Sequence, residues 1–280
     1  MVATIRSFII YAKNDKGLLM NVHQSVKALI LDMDGVLWRD TEPIGDLPAI
    51  FNEIDARGWK TAYVTNNATR SVDQYVQKLA SFGVAANADQ IINSGLATAR
   101  YLKERYPSGG DVYIIGEQGL FATLGDYGFT HSEDNPLAVV ASLDREVDYQ
   151  KLKIATAFIR NGIPFLGTNP DPSLPTPGGY IPGTGAILAA LSAASGQSPE
   201  IMGKPSPVMY QIALTNLEVD PEHALAIGDQ MPTDIAAGVE AGCQTALVLT
   251  GVSTRETARS FDFQPTYIAE DLAQLIDSLE

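Results

Sequence analysis

Short apolar runs recur along the chain with helical patterns between them. Val26 to Leu31 reads VKALIL, nearly continuous in large apolar side chains, which marks a strand buried on both faces of a parallel sheet. Lys60 to Thr65 (KTAYVT) follows a helical pattern over Leu47 to Arg57, and Gln90 to Asn93 (QIIN) follows another over Ser71 to Phe82. Ala224 to Ile227 (ALAI) and Thr245 to Leu249 (TALVL) lie on either side of an alanine-rich helical stretch, Asp234 to Ala241. Strand and helix in alternation predict an α/β fold, a doubly wound parallel sheet of Rossmann type.

The interval between these groups has a βα rhythm of its own. Val112 to Ile115, Leu137 to Ala141 and Pro164 to Leu166 read as strands, with helices near Leu120 to Leu124, Tyr149 to Asn161 and Ala186 to Ala194. Its edges carry turn and linker compositions, Pro107-Ser108-Gly109-Gly110 and Ser195-Gly196-Gln197-Ser198-Pro199. The expected organisation is a core of residues 20–108 and 199–280, a smaller α/β domain of residues 109–198 inserted into it, and an N-terminal extension of residues 1–19.

Charge narrows the class of partner. The chain carries 33 acidic and 19 basic residues, a net charge of −14, which disfavours a nucleic acid polymer. An anionic substrate would then need positive charge supplied locally. Cys243 is the only cysteine, so no disulfide framework exists within the chain, and a reducing, cytoplasmic setting is expected. The apolar segment Ser7 to Ala12 is too short to cross a bilayer, so no membrane partner is expected.

The candidate chemistry sits where the apolar runs end. In Leu29 to Val36 (LILDMDGV), Asp32 and Asp34 project to one side of the strand and Met33 to the other. Ligand sites of open α/β sheets lie outside the carboxyl ends of the strands, where this pair falls. Two carboxylates so close need a cation or a retained proton; alternatively they cap the turn that Gly35 makes. Ile227 to Asp234 (IGDQMPTD) places Asp229 and Asp234 at the end of another strand. With Asp32 they could furnish the oxygen ligands of a hard cation such as Mg²⁺, although Asp234 would serve equally as a helix N-cap. Thr65, Asn66 and Asn67 end a third strand with a hydroxyl, amides and backbone N–H groups, either a phosphate cradle or a helix cap. Lys204, between Gly203 and Pro205, could supply the missing positive charge. The histidines, His23, His131 and His223, form no cluster.

In the order DxD, T, K, GDxxxxD, these residues resemble the four motifs of the haloacid dehalogenase (HAD) superfamily of phosphohydrolases. The wording DMDGVLW, TNNAT, TNPD (Thr168 to Asp171), PGTG and GKP is similar to the p-nitrophenylphosphatase and NagD-like branch, and the insert to a C2-type cap. The resemblance implies a Mg²⁺-dependent hydrolase acting on a small-molecule phosphate monoester such as a nucleotide, phosphoglycolate, pyridoxal phosphate, a sugar phosphate or p-nitrophenyl phosphate. Asp32 would be the nucleophile that forms an aspartyl-phosphate, and Asp34 the general acid and base. Asp32, Asp34 through its carbonyl, Asp229 and Asp234 would hold the metal. Gly35, Thr65, Asn66, Asn67 and Lys204 would surround the phosphoryl group, with Asn169 and Asp171 contacting substrate from the cap. A homodimer through the cap is an expectation of the resemblance alone. A phosphotransferase or mutase, or a receiver-like phospho-module, would use similar residues, but the large insert and the DxD start speak against a receiver.

Overall fold

The computed structural model describes residues 26–176 and 178–279. The expected extension, residues 1–19, lies outside them, as do Ser7 to Ala12 and His23. In chain order, β1 (Ala28–Asp32) is followed by a small hairpin, β2 (Trp38–Arg39) and β3 (Glu42–Pro43), then α1 (Leu47–Ala56), β4 (Lys60–Thr65), α2 (Val72–Ser81), β5 (Ile91–Asn93) and α3 (Ser94–Arg105). Next come β6 (Gly110–Ile115), α4 (Gln118–Asp126), β7 (Phe129–His131), β8 (Val139–Ala141), α5 (Tyr149–Arg160) and β9 (Phe165–Gly167). The hairpin β10 (Ser173–Thr176) and β11 (Gly179–Pro182), α6 (Thr184–Ser195) and β12 (Glu200–Ile201) follow. The chain closes with α7 (Val208–Leu217), β13 (Ala224–Gly228), a π-helical turn Met231–Ile235 running into α8 (Ala236–Glu240), β14 (Gln244–Val248), α9 (Arg255–Ala258), β15 (Tyr267–Ala269) and α10 (Leu272–Ser278).

A six-stranded parallel sheet runs β15-β14-β13-β1-β4-β5. Strand order reverses at β1, the topological switch point where open α/β sheets bind their ligands. Every residue of β1 is buried, and its side chains alternate between two apolar clusters. Ala28 and Ile30 join Ala62, Val64, Met209 and Ala213 on one face, while Leu29 and Leu31 join Tyr63, Ile227 and Leu272 on the other. Burying each Leu or Ile stabilises the fold by about 1.5–3 kcal/mol. A doubly covered strand of this kind holds its last residue rigidly.

A five-stranded parallel sheet, β12-β9-β8-β6-β7, is built from the inserted stretch. One of its faces packs Tyr113, Val139 and Phe165 against α5 and α6. Its other face places Ile114, Val140 and Leu166 in the same apolar cluster as Ala97 and Leu102 of α3 and Met209 of α7. The two sheets therefore share one continuous cluster. Residues Glu200–Ile201, expected in the core segment that starts at 199, pair with β9 instead. A two-residue edge strand after a linker-like run has too little pattern to be assigned to either sheet from sequence.

Candidate active site

β1 delivers Asp32 to the carboxyl edge of the central sheet, where the residue is 5% exposed. A tight turn follows, closed by Leu37 N–H donating to Met33 O (2.8 Å) and Gly35 N–H to Trp38 O (2.8 Å). Met33 is buried in the apolar cluster beneath. Asp34 faces solvent, and its Oδ1 accepts from the indole Nε1 of Trp38 at 2.7 Å. Gly35 adopts φ +91°, and a Cβ there would stand 2.7 Å from Asp229 Cγ, so both conformation and space demand glycine.

β13 ends beside β1 and brings in Asp229, 1% exposed. Its Oδ2 accepts from Val252 N–H at 2.7 Å, and its Oδ1 has no hydrogen-bond partner among the described residues. Asp234 lies within the π-helical turn and folds back on the strand end: its Oδ2 accepts from Asp229 N–H (3.1 Å) and Gln230 N–H (2.9 Å). It does not cap α8 from outside, the alternative that sequence left open. Lys204, 3% exposed, pairs with Asp32, and its Nζ lies 2.6 Å from Asp234 Oδ1. It reaches the core from the other sheet. After β12, Met202 N–H donates to Gly167 O (3.0 Å) and Gly203 N–H to Thr168 O (2.8 Å), so the chain leaves the sheet edge aimed at Asp32.

Oxygens from Asp32, Asp229 and Asp234 lie within 4.8 Å of one another. Burial pushes the Asp32 carboxyl well up, against the pull of Lys204 and with added repulsion from Asp234 and Asp229. Burial and then Asp234 push Asp229 up to about 7. Burial works against the Lys204 ammonium, but Asp234 and Asp32 together hold it charged. Three buried carboxylates against one ammonium leave an excess of negative charge, which such an interior tolerates only with a proton or a cation. The hard oxygen donors and the unpartnered Asp229 Oδ1 fit a divalent metal.

Thr65 is buried at the end of β4, where its Oγ1 accepts from Asn67 N–H at 3.2 Å. Asn67 is exposed, and its carboxamide oxygen is taken by Thr69, from N–H at 3.0 Å and from the hydroxyl at 2.6 Å. It shapes the turn. Asn66 is a brace. Its Oδ1 accepts from Lys204 N–H (2.8 Å), and its Nδ2 donates to Lys204 O (3.0 Å) and to Asp171 Oδ2 (3.1 Å). Asn66 O accepts from Asn169 Nδ2 (2.9 Å) and from Ser94 Oγ (2.6 Å). The structure thus brings Asn169 and Asp171 to the site, with side chains that clasp it from the inserted stretch. Burial raises the Asp171 carboxyl while the Asn66 bond and Lys204 lower it.

Residues not anticipated from sequence are those of the loop after β14. Val252 N–H holds Asp229, Ser253 N–H donates to Asp229 O (2.9 Å), and Thr250 Oγ1 donates to Gly35 O (2.5 Å). The strand-end rule that found Asp32 and Asp229 extends to this loop, because it follows the apolar run TALVL.

Comparison with known proteins converges on one kind of molecule. Residues 29–130 match the family profile described as haloacid dehalogenase-like hydrolase, and residues 201–275 the one described as HAD-hydrolase-like. The acid sugar phosphatase of Staphylococcus aureus (strain MRSA252) is 38% identical over 255 residues, 91% of this chain and 98% of that protein. The p-nitrophenyl phosphatase structure from Archaeoglobus fulgidus superposes with a TM-score of 0.86 at 33% identity, covering 91% of this chain and 99% of that one. A glycerol phosphate phosphatase from Mycobacterium tuberculosis in complex with magnesium gives 0.84 at 31% identity, covering 92% and 78%.

Proposed function

Because the chain belongs to the haloacid dehalogenase-like hydrolases, as a phosphatase of the NagD and p-nitrophenylphosphatase branch, we propose that it hydrolyses phosphate monoesters of small metabolites, sugar phosphates first. The carrying observation is the buried set Asp32, Asp229, Asp234 and Lys204 at one sheet edge, with Asp34 two residues beyond Asp32.

Asp32 attacks phosphorus in line. The bond from phosphorus to the leaving oxygen breaks as the proton of Asp34 passes to that oxygen, giving an aspartyl-phosphate and a free alcohol. Asp34, now a carboxylate, takes a proton from water, whose oxygen attacks phosphorus, restoring Asp32 and releasing inorganic phosphate. The Thr65 hydroxyl, the Lys204 ammonium and the backbone N–H groups of Asp34 and Asn66 hold the phosphoryl oxygens, while the Gly35 N–H closes the turn on Trp38 O. Asp32, Asp229 and Asp234, with the carbonyl of Asp34, would hold Mg²⁺, which when bound supplies charge neutralisation to the carboxylates and the phosphoryl group. Positioning and charge dominate phosphoryl transfer, and this site supplies both.

Residues 109–198 act as the cap, with Asn169 and Asp171 laid over the site, and Lys204 enters from the same sheet. Among the described residues no helix is long and apolar enough to cross a membrane, and the lone Cys243 suits a reducing cytoplasm. Asp32→Asn tests the reading: hydrolysis of p-nitrophenyl phosphate and of sugar phosphates falls by at least about 10³-fold while the fold is retained. Wild-type rates in that variant would overturn it.

A further inference from the structure

Trp38 is fully buried, and its ring is fixed from several sides. Lys78 Nζ stands 3.9 Å from the ring centroid, and the Phe82 ring packs at 5.7 Å. Its backbone bridges to Asp34, and β2 pairs with β3 through Trp38 and Pro43. The neighbouring Arg39 ties this hairpin to the loop beside Asp229, Nε donating to Thr250 O at 2.8 Å. An indole so held has one polar atom, and a buried N–H requires an acceptor. That acceptor is Asp34 Oδ1 at 2.7 Å.

We propose that Trp38 is the positioning residue for Asp34: its N–H fixes Oδ1 as an accepting oxygen, so the proton exchanged with the leaving group and with water is carried on Oδ2. The reason is donor chemistry. Indole N–H donates and cannot accept, so the oxygen facing it presents a lone pair, and in the protonated carboxyl the carbonyl oxygen, the stronger acceptor, takes that place. Rotation that would exchange the two oxygens breaks this bond. The proposal rests on the reading of Asp34 as the acid and base.

The test uses leaving groups. Glycerol phosphate releases an alkoxide that requires a proton as the bond breaks, whereas p-nitrophenolate departs without one. kcat/KM reports the steps through transfer to Asp32. General acid catalysis contributes about 10²–10⁴-fold, and loss of its orientation forfeits part of that. In Trp38→Phe, which keeps a ring and deletes the donor, kcat/KM for glycerol phosphate falls at least about tenfold further than for p-nitrophenyl phosphate. A purely structural role lowers both alike, and an equal fall, or none, overturns the proposal. Asp34→Asn is the reference and shows the same selectivity, larger. If it hydrolyses both esters at wild-type rates, the acid and base reading fails and this proposal with it. If Asp34→Asn is selective and Trp38→Phe is not, only the role of Trp38 fails. Should Trp38→Phe not fold, site-specific replacement of Trp38 by benzothienylalanine, with sulfur in place of N–H, gives the same comparison.

Discussion

Asp229 is packed so closely that its surroundings admit no added carbon. A Cβ at Gly35 would meet its Cγ at 2.7 Å, and one at Gly251 would meet its Oδ2 at 1.8 Å. The acid is thereby fixed with one oxygen on Val252 N–H and the other directed at the site. Gly35→Ala adds a second cost, since φ +91° strains any L side chain by about 1–3 kcal/mol. That variant is expected to lose this much in urea denaturation and most of its phosphatase activity; retention of both would show that Asp229 can move without consequence. Asp32, Asp34, Asp229 and Lys204 stood out in the sequence as an ordered set across several strand ends, since taken singly the acids of the first strand also suit a turn cap and the lysine a solvated surface charge. Asn66 and Asn67 were not separable by that means. Both are carboxamides in one turn, and what distinguishes them is distant: Asp171 and the Lys204 backbone seize Asn66, while Thr69 occupies Asn67.

At the scale of elements, the central strands and the helices α1, α2, α4, α5, α6 and α8 were legible from apolar runs and helical pattern, with β4 over the expected Lys60–Thr65, whereas α3, α7 and α10 were not anticipated from that pattern. The short pieces escaped it. β12 is two residues long, yet it sets the direction from which Lys204 enters, and the hairpin β2–β3 carries Trp38 in a pair of two-residue strands. Their pairing is decided by tertiary neighbours rather than by local pattern. The clasp between Asn66 and Asp171 joins the β4 loop to the loop before β10. Asn66→Ala and Asp171→Ala are therefore expected to be non-additive in a double-mutant cycle on unfolding free energy, with a coupling of about 0.5–3 kcal/mol. Strict additivity would show that the two side chains do not support each other.

His131, at the end of β7, is a separate element-scale device. Its Nδ1 accepts the Ile114 N–H at 3.0 Å between the rings of Tyr113 and Phe121, so the fold requires the neutral imidazole. Burial lowers its pKa, with Glu133 opposing. As pH falls through the unfolded value of about 6.5, the unfolded chain takes up a proton before the folded one does. The stabilisation from neutral His131 is therefore complete above that value and is lost below it. Urea denaturation at about pH 8 and about pH 5 checks this: His131→Asn is expected to narrow the difference between the two, and an unchanged difference would contradict the assignment.

For the whole molecule, the decisive feature is that the two sheets share an apolar cluster through α3, α4 and α7. This continuity lets a lysine from one sheet and carboxylates from the other meet with ångström precision. It also sets the local charge: the chain is at −14, yet Lys204 is held charged where a phosphoryl group would arrive. The sequence displayed the order of motifs but not this shared packing, because apolar residues facing a second sheet look the same as those facing solvent-side helices. The proposed hydrolysis requires Asp32 to form a covalent bond to phosphorus. The most direct measurement is acid quenching during turnover of a sugar phosphate, followed by mass spectrometry of the peptide that contains Asp32. One phosphoryl group is expected on Asp32 in the quenched enzyme, absent from Asp32→Asn. Turnover with no covalent phosphate on Asp32, or phosphate on another residue, would contradict it.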